Sequence, residues 1–402
     1  MECPISKIIH DIKEQKAPST MSAPYGMLLF TQGFRPFFLF GAMFAVFAIS
    51  YFILFLSGTI ENLPSRWDII SWHRHEMLFG FSGAIIAGFL FTAVPNWTGQ
   101  QTPKGFLLAM IVLLWGMGRI FVFSSIYLPT MLVAAADISF FLACMLGIMP
   151  ALIKSHNHRN YIFLVFLTLL VFANGLTHFG NADTGILLAR NIILLMIIII
   201  GGRVIPFFTQ NSLGITISRN HHIEHLAIFS TALSFITEVF GANNTIIGVC
   251  FLVAAIANAL RLSQWQSFKT FRVPLTWILH IGYTWITLGL ALKSAYYLGF
   301  ALPASIATHA LTVGAIGSWT LGMMSRVSLG HSGRPLVVKR IMVFAFCSIF
   351  ITAIVRVFVV WLFPKFTVQW LEIASLLWIS AFGIFVYIYA PILTRPKICS
   401  ER

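Results

Sequence analysis

The chain has 402 residues, of which 58% are hydrophobic and only 9% are charged. Because soluble domains carry about a quarter charged residues, this composition excludes an ordinary soluble domain and a disordered chain. The net charge of +14 does not indicate a nucleic-acid partner either, since the basic residues fall where a membrane protein needs anchors in its loops.

The apolar residues divide into runs that are long enough to cross a lipid bilayer. A transmembrane helix needs about 20 apolar residues, so a chain of this length with short loops holds about 12 of them. The predicted spans lie near residues 34–57, 74–95, 105–125, 128–150, 160–179, 185–207, 225–240, 245–262, 273–292, 303–325, 338–361 and 367–392. We therefore predict an all-α, polytopic membrane helical bundle with a single transmembrane domain over 33–392.

The flanking segments and loops indicate the orientation of the bundle. Residues 1–32 are mixed and polar and lack the apolar core of a secretory signal, so we predict a cytoplasmic N-terminal tail, with a second cytoplasmic tail at 393–402. Cytoplasmic loops of membrane proteins are enriched in Lys and Arg. With the N-terminus inside, most loop cations are inside as well, Arg261 among them. The outer segments hold only Arg66, Arg74, Lys293 and Lys365.

The five cysteines form no CxxC or CxxCH pattern. This excludes a thiolate zinc site and covalent c-type haem attachment, and it gives no disulfide framework. A haem in this chain would have to be bound non-covalently.

Several charged residues fall inside the predicted spans, where charge is costly and commonly marks a functional site. Glu76 and Arg190 lie near the outer ends of their spans. The others lie in the middle or outer half: Arg119, Asp137, Glu238, Arg356 and Glu372. The acids and bases roughly balance, so a purely structural network of ion pairs is the alternative interpretation.

Histidines at matching depth are the stronger signal of a metal or haem site. His73 and His75 open the second span, and His178 and His309 lie near the outer ends of the fifth and tenth spans. These four imidazoles from three spans are predicted to converge in the outer leaflet, and imidazole suits copper, iron and zinc. On a regular helix, however, residues i and i+2 point about 200° apart, so His73 and His75 would serve different partners. Ordinary buried core histidines are the alternative.

A second polar group lies toward the inner side. His280 lies in the ninth span, Arg203 near the end of the sixth, and Arg326, His331 and Arg334 follow the tenth. Arginine pairs well with carboxylates such as haem propionates, although anchoring by the positive-inside rule explains the arginines equally well.

Five stretches of the sequence resemble the NnrS family of membrane proteins that contain haem and copper. These are GFRPFFLFG at 33–41, WHRHEMLFGFSGAIIAGFLFTAVPNWTG at 72–99, GGRVIPFFTQN at 201–211, HIGYTWITLGL at 280–290, and HALTVGAIG at 309–317 with MMSRVSLGHSGRPL at 323–336. The resemblance implies haem b, copper and a role in the bacterial response to nitric oxide, in denitrification or nitrosative stress, at the inner membrane. The histidines that match the family pattern are His73, His75, His280, His309 and His331.

The resemblance and the residues together lead to three functional hypotheses. The first is a nitric oxide reductase that turns NO into nitrous oxide, with electrons from an unidentified quinol or cytochrome. In it, His73, His75, His178 and His309 are metal ligands, and Glu76 and Asp137 relay protons. His280 binds a second haem or the same one from below, with Arg203, Arg326 and Arg334 near the propionates. The second hypothesis is a secondary transporter. The third is a non-catalytic NO-binding or haem- or copper-handling protein.

Overall fold

The computed structural model describes residues 28–398, and within this range it is helical without any strand. The all-α prediction is confirmed. The predicted tail at 1–32 falls almost entirely outside the described residues, as do 399–402.

The helices follow one another in the order that the apolar runs predict. In chain order they are α1 (Phe34–Leu56), α2 (Ile69–Thr98), α3 (Phe106–Phe123), α4 (Thr130–Lys154), α5 (Ile162–Phe179), α6 (Ala182–Leu213), α7 (His221–Val239), α8 (Asn244–Ser263), α9 (Pro274–Tyr297), α10 (304–331), α11 (Arg340–Leu362) and α12 (Thr367–Thr394).

Ten helices of the described chain are long and apolar enough to cross a membrane, which makes this a multi-pass membrane protein. The two that do not meet this measure are α7 and α10. The first turns of α7 carry His221, His222 and Glu224, and α10 is rich in small and hydroxyl side chains. Both lie in sequence between apolar helices, and the count of about 12 spans and the cytoplasmic termini stay predictions.

The bundle closes on itself, because the last helix packs against the first. Arg35 in α1 is buried and donates hydrogen bonds to the backbone carbonyls of Leu393 (2.8 Å) and Arg395 (2.7 Å). Near the middle of the same contact, the indole of Trp378 donates to the carbonyl of Ala45 (3.3 Å). The two ends of the described chain are thereby joined at one end of the bundle.

Pro206 lies inside α6, and the helix runs through it without interruption. A proline inside a helix has no N–H for the carbonyl four residues earlier, which here belongs to Gly202. The guanidinium of Arg219 donates to that carbonyl instead (3.1 Å). Pro95 in α2 repeats the pattern, since the hydroxyl of Thr102 donates to the carbonyl of Phe91 (2.7 Å). Substitute donors outside the helix therefore preserve both helices.

Three helices contain a π-helical segment, a feature that often occurs at functional sites. The segments are Glu76–Ser82 in α2, Ala310–Gly317 in α10 and Val355–Val359 in α11. The first two begin directly after His75 and His309, and the third contains Arg356. All three lie in the half of the bundle where α1 ends and α2 begins, which we call the α1–α2 end.

Small residues allow the helices around these segments to approach closely. A Cβ atom on Gly314 would lie 2.5 Å from the ring of Trp285, and one on Gly317 would lie 2.8 Å from the ring of Trp378. No side chain larger than hydrogen fits at either position unless the neighbouring indole moves.

Candidate functional site

A cavity of about 570 Å³ opens at the α1–α2 end of the bundle. Its wall is mostly apolar and comes from α1, α2, α6, α10, α11 and α12. The polar side chains on the wall are His73, Arg74, Ser82, Arg190, Ser305, Thr308, His309, Thr312, Thr352, Arg356 and Ser375. This volume and this mixture of an apolar wall with a few polar groups are typical of a cofactor site.

Local structure at the start of α2 positions the first histidine of the cavity. Asp68 precedes the helix and accepts hydrogen bonds from the backbone amides of Ile70 (2.9 Å) and Ser71 (3.1 Å). The hydroxyl of Ser71 donates to it as well (2.5 Å), and this bond is the main reason that the pKa of Asp68 lies below its usual value. An N-cap of this kind fixes where the helix begins, and it therefore fixes the direction in which His73 points.

His73 and His309 both present free ring nitrogens to the cavity region. The ring of His73 stacks on Phe52 at 4.1 Å, and its buried Nδ1 has no hydrogen-bond partner within residues 28–398. Nδ1 of His309 lies 2.7 Å from the carbonyl of Ser305, which can only accept, so this nitrogen carries the proton. Nε2 of His309 is then the unprotonated nitrogen, which is the arrangement common for metal-binding histidines.

The cavity wall is positively charged and carries no carboxylate. Arg74 pairs with the exposed Asp183 (2.8 Å), and Arg190 pairs with Glu238 behind the wall (2.7 Å). Arg356 has neither a salt bridge nor a hydrogen bond to any residue of the described chain. An uncompensated guanidinium at this depth is costly, so the cavity favours a ligand with a negative group.

A second cluster lies between α2, α3, α4 and α5 and contains His75, Asp137 and His178. Oδ2 of Asp137 lies 3.1 Å from Nε2 of His75 and 3.0 Å from Nε2 of His178. His75 and Asp137 are fully buried, and the side chain of His178 is only 3% exposed. The indole of Trp67 covers both imidazoles, with ring centroids 4.4 Å and 5.3 Å away.

The same cluster holds two carboxylates and one guanidinium. Arg119 donates to Oε1 of Glu76 (2.7 Å) and also forms an ion pair with Asp137. Glu76 in turn lies 3.0 Å from Nδ1 of His75. The sequence placed these acids at membrane depth, but it did not indicate that a single arginine would bridge them.

The four imidazoles that were expected to converge are divided between two sites. Residues Ile69–His75 form a regular α-helix, so His73 and His75 point to opposite sides of α2. His73 faces the cavity together with His309, and His75 faces the cluster together with His178. The division follows from helical geometry, because residues i and i+2 of a helix point about 200° apart.

A third polar network lies behind the cavity wall, around Glu238 of α7. This carboxylate accepts from Arg190 and Asn191 (2.7 and 3.1 Å) and from Lys293 and Tyr297 (2.6 and 3.1 Å). Lys293 was read from the sequence as an outer loop anchor, but it is 4% exposed and paired inside the bundle. Its position near a helix end gave no sign of this burial.

The residues predicted on the inner side do not form one cavity with the histidines above. His280 is buried, and its two ring nitrogens lie 2.9 Å from the hydroxyl of Thr209 and 2.8 Å from that of Ser267. If His280 bound a haem iron, the iron would have to displace one of these hydroxyls from a ring nitrogen. The predicted role of His280 as a ligand of a second haem stays a prediction.

The predicted inner arginines have protein partners of their own. Arg203 donates to the side-chain oxygen of Asn160 (2.6 Å), and Arg326 lies over the ring of Phe208 at 3.9 Å. His331 packs against Phe34 (5.8 Å). Arg334 follows His331 in the next loop, where its side chain approaches the carbonyl of Ser332 (3.4 Å). None of the four lines the cavity, and their cofactor roles stay predictions.

One buried cluster was missed entirely. Arg261 was counted as an inner loop anchor, but it is 1% exposed and ion-paired with Glu224. It also donates to the carbonyl of Ile198 and to the hydroxyl of Tyr283, each at 2.9 Å. Glu224 lies three residues after His221 in the first turn of α7, just before the predicted seventh span at 225–240.

The comparisons with known proteins agree with the resemblance seen in the sequence. No curated protein matches the chain. The family model described as NnrS protein matches residues 28–397, which is nearly the whole chain and includes every site described above. The chain therefore belongs to the NnrS family, and this membership fits a protein of the nitric oxide response.

Proposed function

We propose that the cavity binds a non-covalent haem b through one of its two histidines, His73 or His309, which would leave a coordination position for nitric oxide, and that the protein reduces nitric oxide there. The observation that carries the proposal is the pairing of two histidines with free ring nitrogens, from α2 and α10, in one cavity without carboxylates. Histidine is the common axial ligand of haem iron.

The residues around the cavity fit the charge and shape of haem. The apolar wall, which includes Phe52 and Trp378, suits the macrocycle. Arg356 lacks a partner within residues 28–398 and would pair with a propionate, because arginine forms two parallel hydrogen bonds with a carboxylate. Arg74 and Arg190 line the same wall. The fit therefore rests on free ligand nitrogens and on an uncompensated positive charge.

The proposed reaction joins two NO molecules with two electrons and two protons to give one nitrous oxide and one water. Haem would supply an iron that binds NO and conducts the electrons, which come from a quinol or a cytochrome. A small neutral gas reaches the apolar cavity through the bilayer without a polar channel. Glu76 begins the π segment of α2, and with Asp137 it forms a buried pair of ionised carboxylates bridged by Arg119, to which we assign the relay of protons.

One observation favours a second candidate function, the non-catalytic binding of NO. No carboxylate lines the cavity, so protons for reduction must come from beyond its wall. A protein that only binds NO needs no proton supply. Formation of nitrous oxide in excess of the protein would exclude this alternative.

The test is the visible absorption spectrum of purified protein, oxidised, reduced, and reduced with NO. We expect a Soret band that shifts with NO, and we expect it to be lost or strongly altered in His73→Ala or in His309→Ala. The exposed His225→Ala serves as the matched control and should keep the wild-type spectrum. A wild-type protein without a Soret band, after expression with adequate haem, would contradict the proposal and favour transport.

A further inference from the structure

We propose that Nε2 of His75, Nε2 of His178 and Oδ2 of Asp137 bind one first-row transition-metal ion at a site separate from the cavity. The three ligand atoms lie within 4.8 Å of one another, and Asp137 Oδ2 is 3.1 Å and 3.0 Å from the two nitrogens. Metal–ligand bonds of about 2.0–2.2 Å place neighbouring ligand atoms roughly 3 to 3.5 Å apart. The cluster therefore has nearly the dimensions of a coordination sphere.

The donor set indicates which class of ion fits. Two imidazoles and one carboxylate suit copper, zinc or iron, whereas magnesium and calcium prefer oxygen ligands only. The side-chain oxygen of Asn174 lies 3.1 Å from Nε2 of His75, so a fourth donor oxygen stands beside the three ligands. The side-chain amide of Asn174 is buried without a hydrogen-bond partner in the described chain.

The surroundings of the ligands resemble those of established metal sites. A metal-binding histidine usually donates its other ring nitrogen to a carboxylate, which fixes its tautomer. Nδ1 of His75 lies 3.0 Å from Oε1 of Glu76, and Arg119 holds that same carboxylate in place. This assigns Glu76 and Arg119 as positioning residues for the ligand set.

The charges of the cluster call for one additional cation. Glu76 and Asp137 contribute two negative charges, and Arg119 contributes one positive charge. With neutral imidazoles, one negative charge remains buried and uncompensated, which is costly. A monovalent ion would bring the net charge to zero and a divalent ion to +1. A copper ion that changes between its two oxidation states would therefore leave at most one unbalanced charge.

A narrow pocket gives the site access from the α1–α2 end. About 40 Å³ of space lies beside His178 and is lined by Arg66, Trp67, Ser125 and Thr130. This exceeds the room that one water molecule needs. Arg66 closes the mouth through a hydrogen bond to the carbonyl of Leu128 (2.6 Å) and a contact with the hydroxyl of Thr130. An ion or a single small ligand that enters from this side therefore has to displace Arg66, but it does not pass through the cavity.

This inference deepens the proposed function by naming the residues of a second metal, and it can fail while the haem assignment stands. The experiment uses purified full-length protein that is washed with EDTA and reloaded with Cu²⁺. Copper content and electron paramagnetic resonance are then measured for wild type, His178→Gln, Glu76→Gln and the exposed control His225→Gln.

We expect one tightly bound copper per wild-type chain, with magnetic signatures of two imidazoles. His178→Gln should retain one imidazole signature and bind copper at least tenfold more weakly. Glu76→Gln should keep both signatures and bind about 10- to 100-fold more weakly, the range for loss of a carboxylate that orients a ligand. His225→Gln should match wild type. A Soret band that is unchanged in His178→Gln shows that the variant is folded and that the two sites are separate.

The proposal is overturned if wild-type protein binds no copper more tightly than His178→Gln does. A proton on one imidazole would then supply the missing positive charge. Thermal unfolding with Zn²⁺ provides an independent measurement if copper is reduced during purification. Zn²⁺ should raise the unfolding temperature of wild type and leave that of His178→Gln unchanged, and this result would support the site.

Discussion

At the scale of single residues, His73 and His75 lie at two different candidate sites, although only one residue separates them in the sequence. Two positions apart on a regular helix, they face opposite sides of α2. Each therefore has its own surroundings. His73 meets a positively charged cavity, and His75 meets two carboxylates and a guanidinium. A single substitution at either position should disturb one site and leave the other intact.

Replacement of Arg356 should have opposite effects on two properties, the stability of the haem-free protein and its affinity for haem. Replacing it with Met removes a half-buried charge that has no partner in the described chain, so the cofactor-free protein should become more stable. Haem should bind about tenfold more weakly, because a propionate loses its partner, which corresponds to about 1.4 kcal/mol. Thermal unfolding with and without haem measures both effects. Haem affinity equal to wild type would show that Arg356 does not contact the cofactor.

Asp68 gives a prediction about stability and pH. Asp68→Ala removes the N-cap of α2 and should cost about 1 kcal/mol at pH 7. The pKa of Asp68 is lowered in the folded protein, so its contribution is complete above the unfolded value near 3.9 and is lost as the pH falls through the folded pKa. The difference from wild type should therefore shrink below about pH 4. Unfolding in detergent at both pH values measures it, with the exposed Glu61→Ala as control.

At the scale of helices, one glycine of α6 leaves the space that a buried arginine of α8 occupies. A Cβ atom on Gly202 would lie 1.6 Å from a guanidinium nitrogen of Arg261, which is held by Glu224 and Tyr283. The guanidinium cannot move without breaking these buried contacts. The neighbouring Gly201 has room, since its Cβ would lie 3.4 Å from the ring of Tyr283. Helix packing here is therefore specified residue by residue.

These two glycines form a matched pair for a stability measurement. Gly202→Ala should destabilise the protein by more than about 2 kcal/mol, in the range of broken buried networks. Gly201→Ala should change stability by less than about 1 kcal/mol, because alanine also favours the helix. The measurement is thermal unfolding in detergent. Equal effects of the two changes would mean that the Arg261 side chain has another accessible position.

At the scale of the whole molecule, the orientation of the bundle is open to direct measurement. If both termini are cytoplasmic and α7 crosses the membrane, cysteines placed at Glu61 and Asn243 should react with an impermeant maleimide from outside. A cysteine at Ser155 should react only after the membrane is permeabilised. Wild type supplies the background of the native thiols. If the cysteine at position 61 reacts with the maleimide from outside and the cysteine at position 243 does not, α7 does not cross the membrane.

Much of the fold was predictable because a bilayer requires long apolar runs, and the observed helices begin and end close to the predicted ones. The grouping of site residues was less predictable. Which histidines meet depends on how α2, α5 and α10 are rotated against one another, and the π segments after His75 and His309 change that rotation. Arg261 and Lys293 were misread because charge near a helix end looks the same in sequence whether it is solvated or buried.

The contact between the first and last helices has a consequence for how the protein is made. The cavity wall includes Ile49 of α1 and Trp378 of α12, so the wall is incomplete until the ribosome has synthesised almost the whole chain. A haem that binds as proposed would find a complete site only after nearly all of the chain has been made. Loading would then follow insertion, and the cell would have to keep a finished but empty protein intact until the haem arrives.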